Sequence, residues 1–443
     1  MRASTEGYTW LLCLLPLPMP ARLAYSLLWL IALPFVAARL LWRARRQPEY
    51  LQNLGERFGR YPVAAPAQLI WVHAVSVGET RAAEPLVRAM LDRWPECSVL
   101  LTHMTPTGRE TSASLFGNER RVLRAYLPYD LKPCVTSFLR HFRPQAGIVM
   151  ETELWPTLLG ACRDRGVPVL LANARLSERS ARRYAQWPSL SRLTLGALTA
   201  IGAQTEADAA RLLDLGAHGV EITGNIKFDM APPATLIELG SRFRTRTANR
   251  PVILAASTRD GEEALILDAF VAATPPEALL VIVPRHPQRF GEVATLVANR
   301  GLALQRRSDE APVSPATRVW LGDSMGEMFA YYAAADVVLM GGSWLPFGGQ
   351  NLIEACAVGT PVILGPHTYN FSLVAEQAVA AGTALREDDV ESGMRAALAL
   401  LREPARRAAM GRAGLAFSAS HRGATARTLT LVAALLECRE ADA

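Results

Sequence analysis

The stretch GGSWLPFGGQNLIEACAVGTPVILGPH, residues Gly341 to His367, decides the fold of this 443-residue chain. Its flanks, DVVLMGGS and GTPVILGPH, read as two short buried strands, each an apolar run that stops at glycine. Between them Gln350-Asn351-Leu352-Ile353-Glu354-Ala355 reads as the start of a helix, with Asn351 as cap. A strand–helix–strand unit of this kind belongs to a parallel sheet. It sets free backbone N–H groups and one carboxylate at the carboxyl ends of the strands, where such sheets bind ligands. The N–H groups suit a phosphate, and Glu354 suits the two hydroxyls of a ribose. The plain alternative is a capped helix with no ligand, and the unit alone does not choose.

Working outward, the same alternation fills most of the chain. Strands are expected at Gln68–Ala74, Ser98–Thr102, Val122–Leu127, Ala146–Met150, Pro168–Ala172 and Thr199–Ala203, with helices of about ten residues or more between most of them. A second series starts at Pro251 and continues through Leu279–Val283, Val319–Leu321, Val337–Met340 and Pro361–Leu364. Beyond about Asp388 the chain reads as helix to its end. The segment Met230 to Asn249, with Pro232-Pro233, breaks the pattern and reads as a linker. The expected fold class is α/β: two Rossmann-like halves facing a cleft, the layout of a GT-B glycosyltransferase. Neither half has GxGxxG after its first strand, which argues against a dinucleotide-dependent oxidoreductase. The expected boundaries are 1–45 for an N-terminal extension and anchor and 46–232 for an acceptor-binding half. A linker at 233–249, a nucleotide-binding half at 250–418 and a C-terminal helix at 419–443 follow.

Composition narrows the chemistry. Net charge is +6, yet only Lys132 and Lys227 among 47 basic side chains are lysines. Six scattered cysteines form no CxxC pair, so neither a zinc site nor a disulfide framework is expected, and reduced thiols in a cytosolic compartment fit best. From Tyr8 to Ala38 the single charge is Arg22, and Arg39, Arg43, Arg45 and Arg46 follow. Leu23–Ala38 is sixteen uncharged residues, about 24 Å as helix, marginal for a span of roughly 30 Å. Pro34 is expected to kink it. A signal peptide over Met1–Ala21 is disfavoured by Pro16, Pro18 and Pro20. A spanning helix and an interfacial helix both place the arginines, and all that follows, on the cytoplasmic side.

Candidate functional residues sit at strand ends. Glu79 follows the first strand in Ser76-Val77-Gly78-Glu79, where it can take a proton from an attacking hydroxyl or merely compensate a helix dipole. Glu151 and Glu153, in Glu151-Thr152-Glu153-Leu154-Trp155-Pro156, can orient a base or a cation, unless one only caps the helix begun by Pro156. Lys227, in Gly224-Asn225-Ile226-Lys227-Phe228-Asp229, offers a compact charge in a chain that otherwise uses arginine. In the second half Ser257–Glu262, Pro284-Arg285-His286-Pro287 and Asp323–Met328 are further polar or Gly-rich strand ends. The Ser257–Glu262 turn reads as facing a phosphate or carboxylate. Together with Asn351–Glu354 these turns are the layout for one nucleotide.

His73–Glu79, Glu151–Pro156, Gly224–Phe228, Pro284–Pro287, Met325-Gly326-Glu327 and Gly348-Gly349-Gln350-Asn351-x-x-Glu354, in this order, resemble the motif series of the 3-deoxy-D-manno-octulosonic acid (Kdo) transferases. The similarity runs from about Tyr25 to the C-terminus, and residues 1 to about 22 look like an extension. Many relatives carry His where Arg259 and Gln350 stand. The resemblance implies a membrane-anchored, inverting GT-B enzyme moving Kdo from CMP-Kdo to the lipid A precursor lipid IVA, at the cytoplasmic face of the inner membrane. It implies no cofactor, no metal and no nucleic-acid partner. It makes Glu79 the general base and assigns Glu151 and Lys227 to transition-state stabilisation. Pro284, Arg285, Met325, Gly326, Glu327, Asn351, Leu352, Ile353 and Glu354 become the CMP-binding set. Two alternatives remain: a nucleotide-sugar 2-epimerase of the same fold and a non-catalytic tether of lipid A enzymes. The hydrophobic N-terminus and the Ser76–Glu79 loop weigh against the first. The intact Glu79, Glu151 and Lys227 weigh against the second.

Overall fold

A computed structural model describes residues 19–45, 47–229, 231–273 and 277–441. The extension expected at the N-terminus therefore lies mostly outside the described residues. The chain forms two compact units: one runs up to Asp229 and resumes at Gly423, and the other lies between.

The first unit is built on β1 (Leu69–His73), β2 (Ser98–His103), β3 (Val122–Tyr126), β4 (Ala146–Met150), β5 (Val169–Ala174), β6 (Ala200–Ala203) and β7 (Val220–Ile222). They pair in the order β3-β2-β1-β4-β5-β6-β7, all parallel. Alternate side chains go to opposite faces, and both faces are buried. Leu69, Trp71, Leu100 and Val149 pack with Phe138 and Leu159 on one side. Ile70, Val72, Leu101 and Ile148 pack with Leu86, Val87 and Val432 on the other. Such double burial explains why the strands read as unbroken apolar runs. Gly147 is required there, because a Cβ would come 2.7 Å from the Trp71 ring.

The second unit repeats the plan with β8 (Val252–Thr258), β9 (Leu279–Pro284), β10 (Leu304–Arg306), β11 (Val319–Leu321), β12 (Val337–Met340), β13 (Val362–Leu364) and β14 (Ala384–Arg386). Their order is β10-β11-β9-β8-β12-β13-β14, again parallel. The strand order reverses between β1 and β4 in the first sheet and between β8 and β12 in the second. Crevices at the carboxyl ends of such strands receive ligands.

Several expectations need correction. The stretch read as a linker is a helix, Ala234–Arg246, that belongs to the second unit. Its Phe243 is fully buried against Trp320 and Tyr331, and Arg244 pairs with Asp336 at 2.8 Å. The prolines start this helix rather than a flexible join. The C-terminal helix Ala424–Ala441 belongs to the first unit, where Ala424, Leu431, Val432 and Leu435 enter the core. The N-terminal helix, Met19–Ala44, runs through Pro34 as one element. Among the described residues no helix is long and apolar enough to cross a membrane. The spanning anchor is not supported. Among the described residues, Cys97, Cys134, Cys162 and Cys356 are buried free thiols.

Candidate active site

Glu79 and Glu151 follow β1 and β4, the strands that flank the reversal in the first sheet. Ser76 caps the helix Val77–Arg93, and Glu79 stands three residues on, the spacing of a capping box. The Val75 N–H donates to Glu79 Oε2 at 2.8 Å and the Ser76 hydroxyl to Oε1 at 2.9 Å. The sequence left capping and base roles open, and the geometry serves the first while permitting the second. A carboxylate has about four acceptor positions, so these bonds fix its orientation and leave room for a proton. Burial pushes the Glu79 carboxyl above its ordinary value, opposed by Val75 and Ser76, with Glu151 raising it and Lys227 lowering it.

The loop after β4 bends sharply. Glu151 has φ 58°, a left-handed conformation that non-glycine residues adopt rarely. Its backbone is held by the Ala172 carbonyl at 2.8 Å, and its carboxylate meets Lys227 Nζ at 2.6 Å. Glu153 lies in the same field. Burial first, and Glu79 second, push its carboxyl up to about 7. The structure thus brings Glu79, Glu151, Glu153 and Lys227 into one electrostatic cluster, with one cation among three acids.

Residues given no functional role from the sequence hold this cluster. Buried Asn173, also left-handed at φ 55°, accepts from the Ile226 N–H at 3.0 Å. Asn225 accepts from the Lys227 N–H at 3.0 Å. Asp229 accepts from the Gly423 N–H at 2.5 Å and from the Thr425 N–H, tying the Lys227 turn to the C-terminal helix. Asp130, 2 % exposed, accepts from Thr157 and Leu158 at 2.9 and 2.8 Å, and so caps the helix Pro156–Arg163 whose own first residues supply no side-chain cap. Asp130 acts from 27 residues upstream, a separation invisible to local patterns.

In the second unit Glu262 is the surprise. Fully buried, it accepts from the Arg259 N–H at 2.8 Å, Gly342 at 2.7 Å, Trp344 at 3.0 Å and Leu345 at 3.4 Å. Burial raises this carboxyl, and the four amides oppose the shift. The Ser257–Glu262 turn expected to face a phosphate therefore spends its Arg259 amide on an internal carboxylate that fastens the loop after β12 to the loop after β8. Arg259 itself lies over the Phe347 ring at 4.9 Å. Gly348 has φ 92°, with the Asn370 amide occupying the place of a Cβ.

The expected nucleotide residues divide. Asn351 Oδ1 accepts from the Ile353 N–H at 3.1 Å, and Asn351 Nδ2 donates to Glu354 at 3.2 Å. The helix behind them is short, Ile353–Ala357. Burial raises the Glu354 carboxyl, while Asn351 and Arg285 lower it, so Arg285, Asn351 and Glu354 share one neighbourhood. Met325 is exposed, and Gly326 beside it takes φ 81°. Glu327 is engaged by Arg307 at 3.1 Å and Ser324 at 2.6 Å. Leu352 and Ile353 are buried in the core, and Pro284 ends β9 as a buried residue, so these three offer a ligand backbone only.

Known proteins agree with this layout. A family model described as 3-deoxy-D-manno-octulosonic-acid transferase (kdotransferase) matches residues 52–230, and glycosyl transferases group 1 matches residues 276–416. The 3-deoxy-D-manno-octulosonic acid transferase of Bordetella pertussis is 48% identical over 410 residues, covering 88% of this chain and 95% of that protein. The chain belongs to the Kdo transferase family. The Kdo transferase of Haemophilus influenzae is 38% identical, over 94% of this chain and 99% of its own length. Among solved structures, HepE of Anabaena in complex with UDP is similar, with TM-score 0.55, 13% identity and coverage of 84% and 100%. The UDP-GlcNAc 2-epimerase of Neisseria meningitidis bound to UDP-GlcNAc gives TM-score 0.55, 18% identity and coverage of 83% and 99%. At such identities the likeness is one of fold alone. This Kdo transferase family member is a glycosyltransferase built on two parallel-sheet Rossmann-like units of GT-B type.

Proposed function

We propose that the chain transfers Kdo from CMP-Kdo to the lipid A precursor lipid IVA with inversion, working at the cytoplasmic face of the inner membrane. The observation that carries the reading is the Lys227–Glu151 ion pair at 2.6 Å, in one electrostatic cluster with the pre-oriented carboxylate of Glu79. The acceptor hydroxyl attacks the anomeric carbon of Kdo, its proton passes to Glu79, and the bond from that carbon to the phosphate oxygen breaks to release CMP. Raising the Glu79 carboxyl strengthens it as a base near neutral pH. Lys227 and Glu151 stabilise the charge that develops in transfer. In the second unit Arg285, the backbone around Met325-Gly326-Glu327 and the Asn351–Glu354 pair hold CMP, with Glu354 on the ribose.

The N-terminal helix supports a reading of membrane association. Leu28, Leu30, Ile31, Phe35, Leu41 and Trp42 are exposed on it, and Arg39 and Arg43 lie towards its C-terminal end, as in a helix lying in the interface of an anionic membrane. Flotation of the protein with anionic phospholipid vesicles tests this placement.

The decisive experiment incubates purified protein with CMP-Kdo and lipid IVA, measures CMP release and weighs the lipid product by mass spectrometry. Added mass of one or more Kdo units is expected, and no CMP release in the presence of both substrates rejects the reading.

A further inference from the structure

The N-terminal helix is wired into the core of the first unit at a particular loop. Trp29 donates from Nε1 to the Tyr25 hydroxyl at 2.7 Å, and Tyr25 shares the electrostatic neighbourhood of Asp130, whose carboxyl burial raises and Tyr25 helps to lower. Asp130 is the carboxylate that receives the Thr157 and Leu158 amides. Trp29 also stacks on Trp155, with centroids 6.5 Å apart and planes 29° apart, and lies 6.0 Å from the Tyr129 ring. Trp155 and Thr157 bound the downstream end of the loop that begins at Glu151 and carries Glu153. The upstream end is strained at Glu151 and held by the Ala172 carbonyl. A left-handed residue persists only where its surroundings over-determine it, so the loop needs its second anchor.

We propose that Tyr25 and Trp29 are positioning residues: through Asp130 and Trp155 they hold the Glu151–Trp155 loop, and with it the partner of Lys227, in register for transfer. The N-terminal helix is then part of the acceptor-side scaffold, a role separate from any attachment to lipid. Asp130 is the relay. It offers about four acceptor positions, fills two with amides, and draws further support from the Tyr25 hydroxyl and the Thr157 side chain against the cost of burial. Trp29 orients the Tyr25 hydroxyl. Without it the carboxylate loosens, the first turn of the Pro156–Arg163 helix frays, and strain at Glu151 relaxes away from Lys227.

The inference rests on the transferase reading, and the test separates the two. Tyr25→Phe removes one oxygen and keeps the ring. In detergent micelles, with CMP-Kdo and lipid IVA, its kcat is expected to fall about tenfold, the equivalent of one charge-assisted hydrogen bond. KM for CMP-Kdo, which the second unit holds, is expected to stay unchanged. Amide hydrogen exchange over residues 152–158 is expected to speed up by a similar factor, with the rest of the first unit unaffected. Trp29→Phe gives a smaller effect of the same kind. A wild-type kcat together with unchanged exchange in Tyr25→Phe overturns the proposal, and so does exchange that rises evenly across the whole unit. If the wild-type protein releases no CMP, the transferase reading falls, while exchange still decides whether Tyr25 holds the loop.

Discussion

A carboxylate that caps its own helix is an economical general base, because the bonds that satisfy the helix also aim the proton acceptor. Glu79 does both, and the two roles separate on substitution. Glu79→Gln keeps the size and one acceptor oxygen, so the cap weakens by about 1 kcal/mol, whereas loss of general-base catalysis lowers kcat by roughly 10²–10⁴. Measured kcat and thermal midpoint together check this. A variant that keeps full turnover removes Glu79 from the chemistry. Glu153 makes a prediction about pH. Its folded-state carboxyl stands near 7, above about 4.3 in an unfolded chain. The native state therefore binds the extra proton between those values, and stability falls as pH rises through that window. Glu153→Gln should raise the melting temperature at pH 8 by about 2 °C or more and give little gain at pH 5. Equal gains at both pH values contradict the assignment. Lys227 is the residue that composition already made conspicuous. A planar guanidinium fits poorly where a point charge meets Glu151 at 2.6 Å. Lys227→Arg is expected to lose at least about tenfold in kcat, a cost of roughly 1.4 kcal/mol, with little change in melting temperature.

At the scale of elements, Glu262 shows what a buried carboxylate does for a loop. Its four amide donors come from two strand ends. Glu262→Ala strands those donors, each costing about 1–3 kcal/mol if it finds no water. Calorimetry of the intact chain should show the second unit's transition falling while the first unit's stays in place, and CMP should bind more weakly. An unshifted second transition would sink the idea. The elements were legible where burial is deep. All strands at the centres of both sheets stand within a residue or two of the apolar runs that announced them, since a parallel strand covered on both faces has nothing polar to confuse the pattern. The edges were not. Leu304-Gln305-Arg306 and Ala384-Leu385-Arg386 are edge strands, β10 and β14, whose polar residues need cover on fewer sides. Between β5 and β6 the chain forms two helices, Glu178–Ala185 and Pro188–Leu195, divided at Trp187-Pro188, because proline cannot continue the first helix. The site was legible as motif positions and illegible as supports. Asp130, Asn173 and Glu262 act across long gaps or through backbone amides, and neither leaves a local periodicity.

For the whole molecule, the described chain leaves the first unit at Asp229 and re-enters it at Gly423, and one carboxylate fastens both points. The C-terminal helix fills a groove with Ala424, Leu431, Val432 and Leu435. Its three large side chains are worth roughly 5 kcal/mol or more in burial. Removing residues 423–443 should therefore melt the first unit and leave the second with its own transition, as calorimetry or limited proteolysis can show. Two intact transitions after truncation would contradict that division. The Asp229 clasp also sets a clock on biosynthesis. Its partner amide lies 194 residues later, so at about 5–20 residues per second the ribosome needs roughly 10–40 s to deliver the helix that completes the first unit. During that interval the apolar groove stands open on the nascent chain, and the part synthesised first is the part that finishes folding last.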